Sequence, residues 1–352
     1  MTDDTVPDGG REHESSPLDE LAMQSSAESS VSNRQILSRI LDNYVFAPVR
    51  ILWSDWRARI GSMIVLLYVL MGTVGVALMD HPSANAGPRY LQPFETMEYP
   101  LGTDTFGEGL LAQTVHATPA MLEMIIAGAV FATVVATVLG SVAGFKGGEI
   151  DRAIMTIADV GMTIPGLPLV IVLATMIEPS EPYMVGLILA IDNWPGLTRS
   201  VRSQVLSVRE ENFIESSRTM GLSTSTIIKD DIVPDIMPYV SVHFVMSARG
   251  IIFESVGLYF LGILPFTNLN WGVTLNLAYT TSGALYTWET AHWLFVPMFT
   301  IVLLSLGLIL LSQGLDRVFN PRIRAKHVKS VVKDDTDEGA DEVSPMADIG
   351  GK

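Results

Sequence analysis

Six apolar blocks, each long enough to carry one helix across a bilayer, limit what this chain can fold into. They lie at about 60–79, 121–145, 153–177, 183–204, 239–262 and 293–315. A helix needs roughly 20 apolar residues to cross ~30 Å of hydrocarbon. In lipid its backbone polar groups must be satisfied internally, which favours helices. The period-2 alternation of barrel strands is absent from these blocks. With 48% hydrophobic and only 17% charged residues, the chain is also too apolar for a soluble domain of its length. The expected fold is an all-α membrane protein with six transmembrane helices.

The net charge of −16 is concentrated outside those blocks. Residues 1–30 hold eight acids against Arg11, and residues 334–352 hold seven against Lys352. Such segments bury too little apolar area to offset the entropy of ordering, so both are expected to be disordered tails. The resulting division is an acidic tail at 1–30, a cytoplasmic pre-membrane segment at 31–58, a six-span domain at 59–324 and a second acidic tail at 325–352. Acid-rich tails and Arg in preference to Lys suit a salt-rich cytoplasm, a compositional pointer to a halophile. Cysteine is absent, which excludes disulfides and thiolate metal sites. The first apolar run follows a long acidic stretch and reads as a retained anchor rather than a signal peptide.

Cations set the orientation. With the N-terminus inside, the outer segments are 80–120, 178–182 and 263–292, and their only cation is Arg89. The inner segments carry Arg57, Arg59, Lys146, Arg152, Arg199, Arg202, Arg209, Arg218, Lys229, Arg317, Arg322 and Arg324. This distribution follows the positive-inside rule and places both termini and the loop 205–238 in the cytoplasm of a plasma-membrane protein.

Within that loop, Ser207 and Glu210 have capping-box spacing for a helix through Phe213, Ile214 and Met220. Gly221 suits a left-handed stop. Ser223 or Thr224 can cap a second helix through Ile227 and Ile228, which Pro234 is expected to close. Two short amphipathic helices hinged at a glycine fit either an interfacial hairpin on headgroups or a knob that enters a groove in a soluble partner.

The segment Phe213–Pro234 resembles the "EAA" loop of ABC-importer permeases, with Glu215-Ser216-Ser217, Gly221 and Val233-Pro234 at the motif positions. Ser216 and Ser217 replace two alanines, and Asp230-Asp231 stand where that family usually carries bases. Further elements are similar to the C-type subunit of dipeptide/oligopeptide/nickel ABC permeases. They are Leu101-Gly102-Thr103-Asp104 with Gly107, Ala143 to Gly148 followed by Ile150-Asp151-Arg152, Asp159 ahead of Ile164-Pro165-Gly166, Trp194-Pro195-Gly196 with Arg199, Phe260-Leu261-Gly262, and Trp271-Gly272. Together they cover roughly residues 58–324. Glu108-Gly109 replace the usual Arg-Asp, and Glu254 stands one residue early. The resemblance implies a type I ABC importer permease fold. It also implies a B-type permease partner, two ATPase subunits that hold ATP and Mg, and an extracellular substrate-binding protein. This chain would then carry no cofactor. Glu215, Ser216, Ser217, Gly221, Val233 and Pro234 would couple it to the ATPases, and the solute would be a peptide.

Asp159, Asp192, Arg249 and Glu254 fall within or near spans, where a charge costs about 2.5–3.5 kcal/mol on insertion scales and normally faces a bundle interior or water. Arg249 and Glu254 are five apart, roughly 140° around a helix, so Asp192 is the expected partner of Arg249. Pro165 and Pro168 in the third span and Pro195 in the fourth should kink those helices and could form a gate. Gly140 and Gly144 form a small face suited to helix packing. No phosphate-binding Gly-x4-Gly-Lys-Ser/Thr, zinc His-x3-His pair or Gly-x-Ser-x-Gly elbow occurs, so catalysis is not expected. Lipid is an expected partner and nucleic acid is not. The competing readings are an ion-coupled secondary transporter using the intramembrane carboxylates, and a membrane scaffold.

Overall fold

The computed structural model describes Trp53 and residues 55–265, 269–281 and 283–319, with side chains to residue 316. Both expected acidic tails and most of the segment 31–58 lie outside the described residues. The helices are α1 (Trp56–Leu78, with a π turn at Met71–Gly75) and α2 (Leu110–Lys146), then α3 (Gly148–Thr163) and α4 (Gly166–Ile177). They continue with α5 (Pro182–Leu189), α6 (Asn193–Val208) and α7 (Asn212–Thr219), then α8 (Thr224–Phe260), α9 (Trp271–Thr281) and α10 (Ala291–Phe319). Among the described residues the only β feature is an isolated bridge, Thr103 to Gly109.

Four of these, α1, α2, α8 and α10, are long and apolar enough to cross a membrane. The expected third span is instead a bent pair, α3 and α4, turning by 87° at Ile164–Pro165. At ~1.5 Å per residue the two arms measure about 24 and 18 Å, so neither crosses the hydrocarbon alone. Pro165 causes the bend: the residue before a proline is pushed out of the helical region, and Ile164 is extended (φ −79°, ψ 127°). Pro168 falls in the first turn of α4 and produces no second kink.

The expected fourth span is likewise interrupted, at Ala190–Asp192 between α5 and α6. Pro195 is the third residue of α6, and a proline ring excludes the carbonyl four residues back, here Ile191. The expected kink is therefore realised as a break ahead of the proline. Prolines inside long helices are found elsewhere, at Pro119, Pro238 and Pro297.

The long helix α2 is the central post. Its Gly140 and Gly144 lie against α6, where an added Cβ would sit 2.8 Å from the Thr198 carbonyl and Val201 at the first, and 2.8 Å from Val205 at the second. Higher up, Gly128 meets the backbone of Gly186 in α5. On the other side α1 seats on α10 through Ala58 against Gly314 and Ile64 against Gly307. The main apolar core runs through Met121, Met124, Leu189, Ile251, Ile252, Trp271, Trp293 and Leu304. A smaller one, around Val201, Val205, Ile214, Ile227 and Ile232, secures the far end of α2.

Between α1 and α2 the chain folds into a polar cap. Asp104, 2% exposed, accepts from the Phe106 and Glu108 amides at 2.8 and 2.9 Å and from Gln113 Nε2 at 2.6 Å. Thr103 donates to the Pro88 carbonyl and accepts from the Leu91 amide at 3.0 Å. His292 Nε2 donates to the Thr103 carbonyl at 3.2 Å, and Gln92 Nε2 to the Glu289 carbonyl at 2.7 Å, tying the cap to the start of α10. The Leu101-Gly102-Thr103-Asp104 motif is the hydrogen-bonded centre of this cap.

Two outcomes are expected. Gly140→Val and Gly144→Val drive a branched side chain into the α6 backbone and should each lower stability by about 1–3 kcal/mol, read as a lower midpoint of thermal unfolding in detergent. Gly250→Ala, where an added Cβ meets nothing within 4 Å, should not. The second concerns pH. Burial, then the neighbouring Asp104 charge, raises the Glu108 carboxyl above its ordinary range. The folded state then binds this proton more tightly than the unfolded chain, so the stability Glu108 contributes is present at acid pH and lost as pH rises through its raised value. The midpoint should climb on acidification from neutral pH, and Glu108→Gln should flatten that rise.

Candidate docking loop and intramembrane polar cluster

Leaving α6, the chain makes a short turn at Arg209–Glu211 and enters α7. Ser207 does not cap this helix, contrary to the spacing argument, because α6 continues to Val208 and takes it up. Ile214 is the buried anchor of α7, while Phe213, Glu215 and Ser216 are exposed. Gly221 has φ +76°, the left-handed stop expected of it. Ser223 then caps the next helix, its Oγ accepting from the Thr226 amide at 3.2 Å.

Pro234 does not close the segment. Helix continues without interruption from Thr224 to Phe260, through a π turn at Ile227–Ile232. The carbonyl that the ring of Pro234 would crowd, at Asp230, belongs to this wider turn, and Pro234 takes the second position of the following α segment. The second arm of the knuckle is thus the first part of α8. Val233 is half-buried at its base and Pro234 is exposed.

Several contacts fasten the knuckle to the bundle. Ser217 is buried and its Oγ donates to Asp231 Oδ2 at 2.8 Å, which gives one of the unusual acids a bonding role. Arg209 Nη1 donates to the Gly144 carbonyl at 3.1 Å, where the C-terminal end of α2 favours a cation. The Arg218 guanidinium lies over the Phe145 ring, 4.9 Å from its centre. Sequence reasoning missed all three, though a Ser for Ala exchange opposite a new acid was a usable signal. Among the exposed polar residues stand three apolar knobs around Gly221, namely Phe213, Met220 and Leu222, with Met220 at 70%.

The bent pair is braced to α6 by two ion pairs. Arg202 donates twice to Asp151, at 2.5 Å through each nitrogen, and Arg199 donates to Asp159. Asp159 is therefore paired and about half exposed, and it does not join the other intramembrane charges.

Asp192, Asn193 and Glu254 do come together, where the two interrupted helices meet α8. The Asp192 carboxylate abuts Gly166, the first residue of α4, a helix N-terminus that favours negative charge. Asn193 Nδ2 donates to Asp192 at 3.2 Å, and these two are the polar groups acting on Glu254. The expected pair of Arg249 with Asp192 is not formed: the guanidinium lies 5.5 Å from the Phe253 ring centre, one turn along the same helix. Among the described residues, Arg249 Nε and Glu254 Oε2 are buried atoms with no hydrogen-bond partner. Pro165 and Pro195 contribute by making the two breaks. No group of three or more metal-ligating side chains occurs among the described residues.

Comparison with known proteins bears on what a knuckle and a broken-helix cluster serve. Residues 136–325, more than half of the chain, match the family described as binding-protein-dependent transport system inner membrane component. The chain belongs to that family. It is a multi-pass transport permease subunit and not an enzyme. The dipeptide transport system permease protein DppC of Bacillus subtilis is 29% identical over 76% of this chain and 82% of its own length. The oligopeptide transport system permease protein OppC of the same organism is 26% identical over 77% and 87%. OppC of Mycobacterium tuberculosis is 29% identical over 76% and 92%. These relatives agree with the C-type resemblance carried by the motifs. They favour a binding-protein-dependent importer over the ion-coupled alternative.

One outcome tests the bracing of the bent pair. Arg202→Ala should lower stability by about 1.5–3 kcal/mol, the usual worth of hydrogen bonds to a charged group. Asp151→Asn should do much the same, and exchanging the two residues should recover most of the loss, with unfolding in detergent as the readout.

Proposed function

We propose that this chain is a membrane subunit of an ATP-binding-cassette importer for peptides, forming half of a translocation pathway beside a B-type permease. Two ATPase subunits hold ATP and Mg on the cytoplasmic side, and an extracellular binding protein delivers the solute to the cap. The chain crosses the membrane six times, with the bent pair and the interrupted pair as the third and fourth crossings and both termini in the cytoplasm. Cation placement supports this orientation, and the peptide solute is supported by the names of the relatives.

The observation that carries the reading is the knuckle. Glu215, Ser216, Ser217, Gly221, Val233 and Pro234 hold a compact projection whose base is buried and whose tip presents Phe213, Met220 and Leu222. An apolar tip on a rigid base suits a groove in a soluble partner. Because the knuckle's second arm, from Thr224, is the start of α8, a push on it is delivered along that helix toward Arg249 and Glu254. Arg209 and Arg218 carry the same push to the end of α2. The unpaired atoms of Arg249 and Glu254, with Asp192 at the break, suit a cavity completed by a second permease, while Pro165 and Pro195 supply the interruptions at which helices part.

The test is uptake of a labelled dipeptide or oligopeptide into vesicles that contain the assembly and its ATPases. Uptake should require ATP and survive a protonophore; loss of uptake with ATP still present overturns the reading. Gly221→Val should weaken co-purification of the ATPases and abolish uptake while the chain still inserts, because a β-branched residue at φ > 0 is strained by about 1–3 kcal/mol. Unchanged co-purification would remove the knuckle from this role.

A further inference from the structure

A cavity of about 770 Å³ lies between α3 and α6, a size within the range of small-ligand sites, roughly 300–1,000 Å³. Its walls are polar and carry both signs of charge. Arg152, Thr156 and Asp159 line it from α3, and Arg199, Arg202 and Ser203 from α6, each set at the spacing of one helix face. The Arg199–Asp159 pair is open to it, for those side chains keep 55% and 49% of their surface. Arg199 donates to Asp159 Oδ1, and Oδ2 has no hydrogen bond among the described residues. The Arg202–Asp151 pair is more enclosed.

Depth decides what can lie against this face. With α3 as the inner arm of the third crossing, Asp159 stands about 16 Å along it at ~1.5 Å per residue, well into the hydrocarbon. Charges at that level face water or protein and not lipid. Faces suited to lipid differ plainly: α1 exposes Met63, Leu66, Leu67 and Leu70, and α10 exposes Phe299, Val302 and Leu306. The polar face also has a definite upper end. Past Asp159 the two helices close up, an added Cβ at Gly161 falling 2.9 Å from Pro195, and Gly166 then meets Asp192. The cavity therefore lies along the same two interrupted segments that form the junction of Asp192, Asn193 and Glu254.

We infer that this cavity is the water-filled inner vestibule of the pathway, where a peptide's ammonium meets Asp159 and its carboxylate meets Arg199 on the way to the cytoplasm. The inference rests on the permease reading above and adds to it a place and a ligand chemistry. Charge on the wall is nearly balanced: Asp151 and Asp159 stand against Arg152, Arg199 and Arg202, and Arg152 is itself bonded to Glu149 at 2.6 Å. Paired opposite charges give each end of a zwitterion a partner, whereas a solute of one sign meets as much repulsion as attraction.

The chain contains no cysteine, so Thr156→Cys and Ser203→Cys each place its only thiol on the cavity wall. In inside-out vesicles holding the assembly, both should react with a charged, membrane-impermeant thiosulfonate at least about tenfold faster than Val302→Cys on α10, because bringing a charge into hydrocarbon costs more than that factor. With ATP and vanadate holding the ATPases closed, both should slow by about fivefold or more as the inner side shuts. Equal reactivity of the three, or labelling indifferent to nucleotide, overturns the vestibule. Peptide choice tests the ligand chemistry. With the binding protein unchanged, Asp159→Asn should lower uptake of a Lys-containing dipeptide relative to a Glu-containing one by about two- to fivefold, the worth of one partly exposed charge pair. Arg199→Gln should move that ratio the other way. A mere brace would lower both uptakes alike, so an unchanged ratio in both variants overturns the assignment. Unreactive cysteines alongside ATP-dependent uptake sink the vestibule alone, whereas uptake that needs no ATP sinks the permease reading beneath it.

Discussion

The close seam between α2 and its neighbours is the contact on which the rest depends. In hydrocarbon a broken helix leaves carbonyls and amides without partners, at a cost of several kcal/mol for each exposed group. Two breaks are tolerable only where the surrounding helices shield them. Gly128, Gly140 and Gly144 let α5 and α6 lie against α2 at backbone distance, so the interrupted pair is held along its whole length by an unbroken post. The bent pair is then fastened to α6 by Asp151–Arg202 and Asp159–Arg199. Support passes outward from one rigid helix to two discontinuous ones.

This arrangement explains why charge appears where it does. Helix breaks expose helix ends, and helix ends carry partial charge. Asp192 sits at the end of one break and against the first residue of the helix formed by the other, which places a carboxylate where the backbone favours it. Arg249 Nε and Glu254 Oε2 have no hydrogen-bond partner among the described residues, which sets them apart from the bonded polar groups of the cap. The cap is saturated: Asp104 alone accepts three hydrogen bonds, and Thr103 joins two strands of loop. The two ends of the molecule therefore differ in kind, one locked by a polar network and the other projecting apolar knobs from a hinge at the start of a long helix.

Much of this was legible in the residues. Apolar block length announced crossing helices, and the glycine at 221 announced a left-handed stop, because each rests on a local rule. The small faces at Gly140 and Gly144 were read as packing, and they pack. Reasoning from spacing failed where a neighbour overrode it. Ser207 had the right interval for a cap but was consumed by a helix already under way. Pro234 looked like a terminator, yet a π turn ahead of it accommodated the ring. Arg249 was assigned a carboxylate by depth along the sequence, and its guanidinium lies instead beside Phe253, one turn along the same helix.

By itself the sequence determined the number and position of apolar segments, the asymmetry of cations and the order of motifs that places the chain in its family. These follow from side-chain transfer energies and from charge, which need no knowledge of neighbours. Tertiary structure alone decided that two of the apolar segments are interrupted, that Asp192 and Glu254 share a junction while Arg249 and Asp159 do not, and that His292 ties α10 to the cap through the Thr103 carbonyl. Each of these depends on which helix lies against which and at what rotation. That is settled by packing between residues far apart in the chain, and a linear pattern does not record it.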